Sequence, residues 1–157
     1  MTIVGREYKY GGAKALVELH ELHMREFLET WRKAKAAGVA LPDTSDPDYN
    51  SMEHVLCHTL GAAGHYMNWM CRVLELPDPG IDPVPGLDEI ESAAAGYLEH
   101  VIERWSGPLV DVVEGCFGPQ TYLSSWNTHY CIDAMLEHAV MHPVRHAFQL
   151  NALLARR

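Results

Sequence analysis

The residues with the clearest potential for chemistry are histidines near the end of the chain. Three of the ten histidines, His138, His142 and His146, follow one another at four-residue steps. On an α-helix each such step turns by about 40° and rises about 6 Å, so neighbours in this series share one face. His142 and His146 can therefore bind one metal ion together. His138 lies two turns from His146, and all three cannot bind one ion without distortion.

A second group of histidines, His54, His58 and His65, is spaced by four and seven residues and also follows one helical face. Helical bundles bring the inward faces of different helices together, so imidazoles from the two groups can meet. Three neutral imidazoles leave a coordination position for water or substrate, as in catalytic zinc sites. The spacing alone leaves the member of the second group open, and histidines accommodated by the core without metal are the alternative.

Four amphipathic segments are predicted to be the helices that position these histidines. The predicted helices span about residues 13–37, 50–76 and 87–105, and from residue 125 or 127 almost to the end. Residues of the first segment recur at three- and four-residue steps: Leu16, Leu19, Leu22 or His23, Phe27 and Trp31. Gly38 is predicted to end the first helix, and a capping box of Asn50 and Glu53 to begin the second.

The connections are rich in proline and glycine. Residues 1–12 are predicted to be an extended or loosely packed arm, and residues 76–86, LPDPGIDPVPG, form a connection longer than a tight helical hairpin needs. Residues 115–125 are predicted to be an irregular loop. The chain has neither the alternation of strands nor an internal repeat. We therefore predict a single all-α domain over residues 1–157, a four-helix bundle.

Composition argues against several classes of function. The net charge of −9 disfavours binding to nucleic acid or to anionic membranes. The chain shows neither a secretory signal nor an apolar run of the roughly 18 residues needed to span a bilayer, so a cytoplasmic protein is expected. No glutamate is followed by histidine three residues later, which disfavours a di-iron carboxylate site. The cysteines contain no CxxC pair and are expected to be buried and reduced: Cys57, Cys71, Cys116 and Cys131.

The segment from His142 to Gln149, with the pattern HxxxHxxQ on a last helix, resembles the DinB/YfiT-like superfamily of bacterial metalloenzymes. The resemblance covers four helices over about residues 13–157. It implies an up-down-down-up bundle, which agrees with the long connection after the second helix. It also implies that His58, with His142 and His146, binds the metal ion. His54 is the rival on the second helix and His138 the rival on the last.

Two further residues acquire expected roles through this resemblance. Gln149 matches a polar residue one turn after the last ligand and would orient a ligand or a bound water. Arg145 and Tyr66 are candidates to contact a small electrophilic substrate, and a purely structural role is the alternative for each. The chain departs from the family pattern at Ala147 and Phe148, where members commonly carry small residues or Arg-Gly. It also has Pro143 between the paired histidines, where a bend is expected.

The family's better understood branches are transferases and isomerases that use bacillithiol or mycothiol. By this resemblance the ion would be zinc, with nickel or iron as alternatives. The expected function is a metal-dependent enzyme that activates a low-molecular-weight thiol, in an S-transferase reaction with a small electrophile, or that activates water. A non-catalytic metal-binding or stress-related helical protein is the alternative. A homodimer is expected as well, because Trp69, Met70 and Trp126 are predicted to remain outside one core.

Overall fold

The computed structural model describes residues 5–157 and consists mainly of four helices. They are α1 (Gly11–Ala37), α2 (Met52–Val73), α3 (Ile90–Trp105) and α4 (Ile132–Ala155). Short 3-10 turns form at Pro47–Tyr49 and Glu114–Cys116, and strands β1 (Tyr122–Leu123) and β2 (His129–Tyr130) pair antiparallel. The prediction of an all-α bundle is confirmed. Within residues 5–157, none of the helices combines the length and the apolar character that a membrane crossing requires.

The buried face of helix α1 includes Phe27 and Trp31, as predicted, but differs from the predicted one in the first half of the helix. Leu19 and Leu22 are 41% and 49% exposed. The buried residues instead alternate steps of three and four: Ala13, Val17, His20, Met24, Phe27, Trp31 and Ala34. Such a 3.5-residue repeat is typical of helices packed along their whole length. The predicted end at Gly38 is confirmed, since this glycine has a left-handed φ of 63° and its N–H donates to Ala34 and Lys35.

Helix α2 begins one residue later than the predicted capping box allowed. Ser51, not Asn50, caps the helix, and its hydroxyl accepts from the backbone N–H of His54. The indole N–H of Trp31 donates to the carbonyl of Met52 over 2.7 Å, which ties the last part of α1 to the first turn of α2. The helix ends at Val73, three residues before the predicted end.

The connection from α2 to α3 packs along the bundle. Ile81 and Val84 lie over Gly64 and Gly61, where a Cβ atom would stand only 3.1 and 3.2 Å from their side chains. The Tyr97 hydroxyl donates to the carbonyl of Asp82 over 2.9 Å. The two glycines of α2 thus create the groove that receives this segment. Because residues 87–89 form a turn, α3 begins at residue 90, later than predicted, and it does not resume after residue 108.

A hairpin begins in the predicted irregular loop of residues 115–125 and continues into the segment predicted to be helical, so the last helix is shorter than predicted. Strands β1 and β2 pair Tyr122 with Tyr130, and α4 starts at residue 132 after a cap by the Cys131 thiol. The sequence prediction of a start at residue 125 or 127 is wrong. Two adjacent short strands with a turn between them carry too few residues for a visible alternation. Helix α4 continues through Pro143.

Some side chains that were predicted to lie outside the core are buried, and some that were predicted to be buried are not. Trp69 and Met70 are buried, and the Trp69 indole donates to the carbonyl of Leu123, whereas Trp126 is 44% exposed. Two of the three residues behind the expected homodimer therefore belong to the core, and the dimer stays a prediction. Among the cysteines only Cys71 is buried, and Cys116 is exposed, so the prediction of four buried thiols is wrong.

The first and last helices contact each other at both ends. The Tyr10 hydroxyl donates to Asp133 at the start of α4, and Arg157 lies beside Gly38 at the end of α1. Tyr10 belongs to the predicted arm of residues 1–12, and it packs against the core. Tyr8 also packs against the core, whereas residues 5, 6, 7 and 9 are exposed, and residues 11 and 12 already belong to α1. Residues 1–4 of the predicted arm lie outside the described part.

Candidate metal centre

Three histidines from two helices meet between α2 and α4. The Nε2 atom of His142 lies 2.9 Å from Nε2 of His58 and 3.3 Å from Nε2 of His146. One ligand atom from each residue lies within 4.8 Å of the other two, so the cluster could hold a metal ion. Within residues 5–157 these are the three histidines that the sequence and the family resemblance singled out.

The ring of His58 is oriented by a carboxylate. Its Nδ1 atom lies 3.1 Å from Oδ2 of Asp48, which belongs to the 3-10 turn before α2. A carboxylate only accepts hydrogen bonds, so Nδ1 of His58 carries the proton and Nε2 presents a lone pair to the cluster. This arrangement of carboxylate, histidine and metal is common behind metal ligands and raises the basicity of the imidazole. The Asp48 side chain is 44% exposed and that of His58 31%, so the cluster is open to solvent on this side.

The ring of His146 is held from the neighbouring residue of the same 3-10 turn and from its own helix. Its Nδ1 atom lies 3.0 Å from Oε1 of Gln149 and 3.2 Å from the hydroxyl of Tyr49. The Tyr49 hydroxyl donates to the same Gln149 oxygen over 2.6 Å. Since Oε1 can only accept, Nδ1 of His146 is the donor and its Nε2 also presents a lone pair. Burial raises the pKa of Tyr49, which keeps its hydroxyl protonated.

His142 is the most deeply enclosed member, with 4% of its surface exposed. The ring of Tyr66 packs edge-on against it, with the ring centres 5.7 Å apart. Burial, followed by the charges of His146 and His58, lowers the pKa of His142 to about 2. Burial and then the charge of His58 lower the pKa of His146 to about 4. Both rings are therefore neutral at physiological pH, which is the form that binds metal.

The geometry of the donors fits a small divalent cation. Nitrogen ligands at about 2.0–2.1 Å from a tetrahedral ion are about 3.3 Å from one another. The separation of His142 and His146 matches this value, and that of His142 and His58 is shorter, at 2.9 Å. Two of the Nε2 atoms present lone pairs, and a single N–H on His142 can point along only one of its two contacts. Its Nδ1 atom is buried without a hydrogen-bond partner in the described part of the chain. A cation would use all three lone pairs at once.

The other candidate histidines lie elsewhere. His54 belongs to the capping turn of α2, where its Nδ1 atom is 2.8 Å from the Ser51 hydroxyl. His65 is exposed on α2. His138 stacks on Trp126 and lies edge-on to Tyr66, one turn below the cluster on α4. The histidines of α2 therefore do not share one partner, although they are spaced by four and seven residues. Of these three, only His58 contacts the paired histidines of α4 in the described part of the chain.

The two residues expected to assist the metal differ in their placement. Gln149 contacts His146 as described above. Arg145 is exposed, and among residues 5–157 it makes no hydrogen bond to the three histidines. Its positive charge nevertheless contributes to lowering the pKa values of His142 and His146. The expected direct contact of Arg145 with a bound molecule stays a prediction.

Sequence reasoning missed Asp48 and Tyr49. Both lie in residues 41–50, LPDTSDPDYN, whose two prolines and three aspartates are typical of a loop. Their position directly before the helix that carries His58 could have indicated a role, because a segment that leads into a helix passes the end of the bundle, where its side chains can contact inward-facing ones.

No protein-family model matches the chain, and comparisons with curated proteins and with solved structures found no significant match either.

Proposed function

We propose that this protein binds one divalent metal ion through His58, His142 and His146 and uses it to activate a low-molecular-weight thiol or water. The observation that carries the proposal is the convergence of three Nε2 atoms, with one ligand atom of each histidine within 4.8 Å of the other two. The 3.3 Å between the Nε2 atoms of His142 and His146 is the separation expected for two ligands of a tetrahedral ion. Zinc is the proposed ion, with nickel and iron as alternatives. The partners would be a small thiol and an electrophilic substrate, and the reaction of S-transferase type.

The proposal includes membership of the DinB/YfiT-like superfamily and its up-down-down-up order of helices. Three contacts support that order. Tyr10 reaches the start of α4, Trp31 the start of α2, and His20 stacks on Trp105 at the end of α3. In such an order α1 and α4 run one way and α2 and α3 the other. The packed connection over residues 74–89 is long enough to return the chain for a second parallel helix.

The side chains around the ion would have distinct tasks. Asp48 and Gln149 hold protons at the Nδ1 atoms of His58 and His146, so the opposite nitrogens stay free to bind. The buried ring of Tyr66 excludes water on the side of His142. The exposed side near His58 and Asp48 leaves room for a fourth ligand to enter. A bound divalent ion would lower the pKa of a thiol or water beside it, so that a nucleophile is present at neutral pH.

Cobalt substitution tests thiol activation directly. Cobalt-loaded protein should develop an intense sulfur-to-metal charge-transfer band on addition of bacillithiol, mycothiol or a simpler thiol. Proton release should accompany the band in weakly buffered solution, because the thiol ionises on binding. His146→Ala should give neither signal, and His138→Ala should give both. A spectrum that millimolar thiol leaves unchanged, in fully loaded protein, would reject thiol activation and favour water activation or a non-catalytic ion.

A second candidate function is a helical protein whose histidines bind one another without turnover or metal. The separation of 2.9 Å between the Nε2 atoms of His142 and His58 is also a hydrogen-bond distance, and this observation favours it. Metal analysis of protein purified without a histidine tag separates the two. About one ion per chain supports the first proposal, whereas substoichiometric metal that dialyses away without a change in stability supports the second.

A further inference from the structure

A pocket of about 450 Å³ lies between the loop after α1 and the last turns of α4. Its volume is within the range of small-molecule sites in proteins. The walls are mostly apolar and include Leu41, Pro42, Val55, Phe148, Leu150 and Leu153. Phe148 is 73% exposed, an unusual position for a large aromatic side chain unless something covers it.

The pocket wall contains one carboxylate, Asp46, and one guanidinium, Arg156, which differ in whether another group binds them. The Asp46 carboxylate accepts from the backbone N–H of Asp48 and thereby caps the 3-10 turn. Arg156 has no ion-pair partner in the described part of the chain, so its guanidinium is available to a ligand. A guanidinium pairs well with a carboxylate, because it offers two parallel N–H donors. Apolar walls with one available cation select a molecule that has an apolar body and one carboxylate.

We propose that this pocket binds small amphipathic monocarboxylates, with the apolar body against Phe148 and Leu153 and the carboxylate on Arg156. The site is separate from the position of the metal ion. His146 lines the pocket together with Tyr49 and Gln149, the two residues that contact its Nδ1 atom. The Nε2 atom, which would bind the ion, lies on the opposite side of the ring. A ligand here would thus contact the support of His146 and not the reacting atoms.

This position also couples the pocket to the metal centre, an extension that rests on the proposed function. A ligand that shifts Tyr49 or Gln149 changes the orientation of His146, and hence the affinity for the ion. Thermodynamic linkage then requires that the ion change the affinity for the ligand by the same factor. The pocket itself does not depend on a metal, so binding to the metal-free protein can be measured alone.

Calorimetric titration of the metal-free protein with octanoate, and with uncharged octanol as the comparison, tests the pocket. Octanoate should bind more tightly than octanol. Arg156→Gln should lower the affinity for octanoate by about tenfold, the loss expected for one charge-assisted pair, and leave the affinity for octanol unchanged. Arg157→Gln is the matched control, because this neighbouring arginine lies beside Gly38 and not in the pocket wall.

A second pair of variants tests occupancy of the cavity. Ala152 lines the pocket, and Ala152→Trp should fill it and abolish binding of octanoate, whereas Ala155→Trp on the exposed side of the same helix should not. Absence of octanoate binding, equal binding of octanol, or equal losses in the Arg156 and Arg157 variants would overturn the proposal. Repeating the titration with zinc present tests the coupling separately. Pocket binding without any effect of zinc would leave the pocket supported and reject the coupling.

Discussion

Asp48 and His58 form a pair in which a carboxylate 3.1 Å from Nδ1 decides which imidazole nitrogen faces the histidine cluster. The next residue, Tyr49, contacts His146 on the other helix. One 3-10 turn therefore orients rings from both α2 and α4. The proposed metal site needs the rings of the two helices fixed relative to each other, and a short segment that touches both rings does this.

Removal of the Asp48 carboxylate should weaken metal binding while leaving the fold intact. Asp48→Ala is expected to lower the affinity for zinc by about 10- to 100-fold, the usual cost of losing the partner of a metal-binding histidine. Competition with a chromophoric chelator measures this. Asp82→Ala is the matched control, because Asp82 faces His100 at 3.6 Å, far along the chain from the cluster. Equal affinities in the two variants would show that the carboxylate does not support the ligand.

Single alanine variants should separate ligands from other histidines. His58→Ala, His142→Ala and His146→Ala should each abolish tight zinc binding, a larger loss than the about 100-fold expected for a supporting residue. His54→Ala, His138→Ala and His20→Ala should keep it, because these rings lie outside the cluster. Metal content after dialysis is the measurement. Release of the ion by His54→Ala but not by His58→Ala would move the α2 ligand by one turn.

Gln149 should contribute to metal affinity through His146. In Gln149→Leu the Nδ1 proton of His146 keeps only the Tyr49 hydroxyl, so the affinity for zinc should fall by about tenfold. The double variant with Tyr49→Phe should lose more than either single variant, because the buried N–H then has no acceptor. Asn151→Leu, at an exposed position of the same helix, is the control and should bind zinc normally. A Gln149→Leu protein with unchanged affinity would contradict this role.

His20 should make the stability of the bundle depend on pH independently of the metal. It is fully buried and stacked on Trp105, and burial, then the charge of His23, lowers its pKa to about 3. Below an unfolded pKa of about 6.5 the unfolded chain binds a proton that the folded chain rejects. The free energy of unfolding therefore decreases as the pH is lowered, by about 2 kcal/mol from pH 7.5 to pH 5 for this one group.

Urea unfolding in the presence of a chelator measures this dependence. His20→Phe keeps a flat ring against Trp105 but cannot titrate, so its unfolding free energy should change less over the same pH range. It also removes the Nε2 atom of His20, which is buried without a partner in the part of the chain that the structure describes. His129→Phe, at an exposed histidine, should retain the wild-type dependence. Parallel pH profiles for wild type and His20→Phe would contradict the prediction.

The pairing of His142 with His146 was predictable from the sequence, because a four-residue step puts two side chains on one helical face whatever surrounds the helix. The four helices and the end of α1 at Gly38 were predictable for the same local reason. Helix boundaries were less so. Ser51 and not Asn50 is the cap of α2, and Asn50 instead ends the 3-10 turn before it. The first turn of α2 is also bound by the Trp31 indole, 21 positions away from Met52.

Tertiary structure alone decided which side chains join the paired histidines. His54 and His58 lie one turn apart on α2, and only the height at which α2 packs against α4 distinguishes them. Tertiary structure also decides the roles of Asp48 and Tyr49, because the loop conformation brings Asp48 to His58, 10 positions away, and Tyr49 to His146, 97 positions away. Local spacing determines what one helix presents. The meeting of two helices depends on the packing of the whole core, which no short stretch of sequence contains.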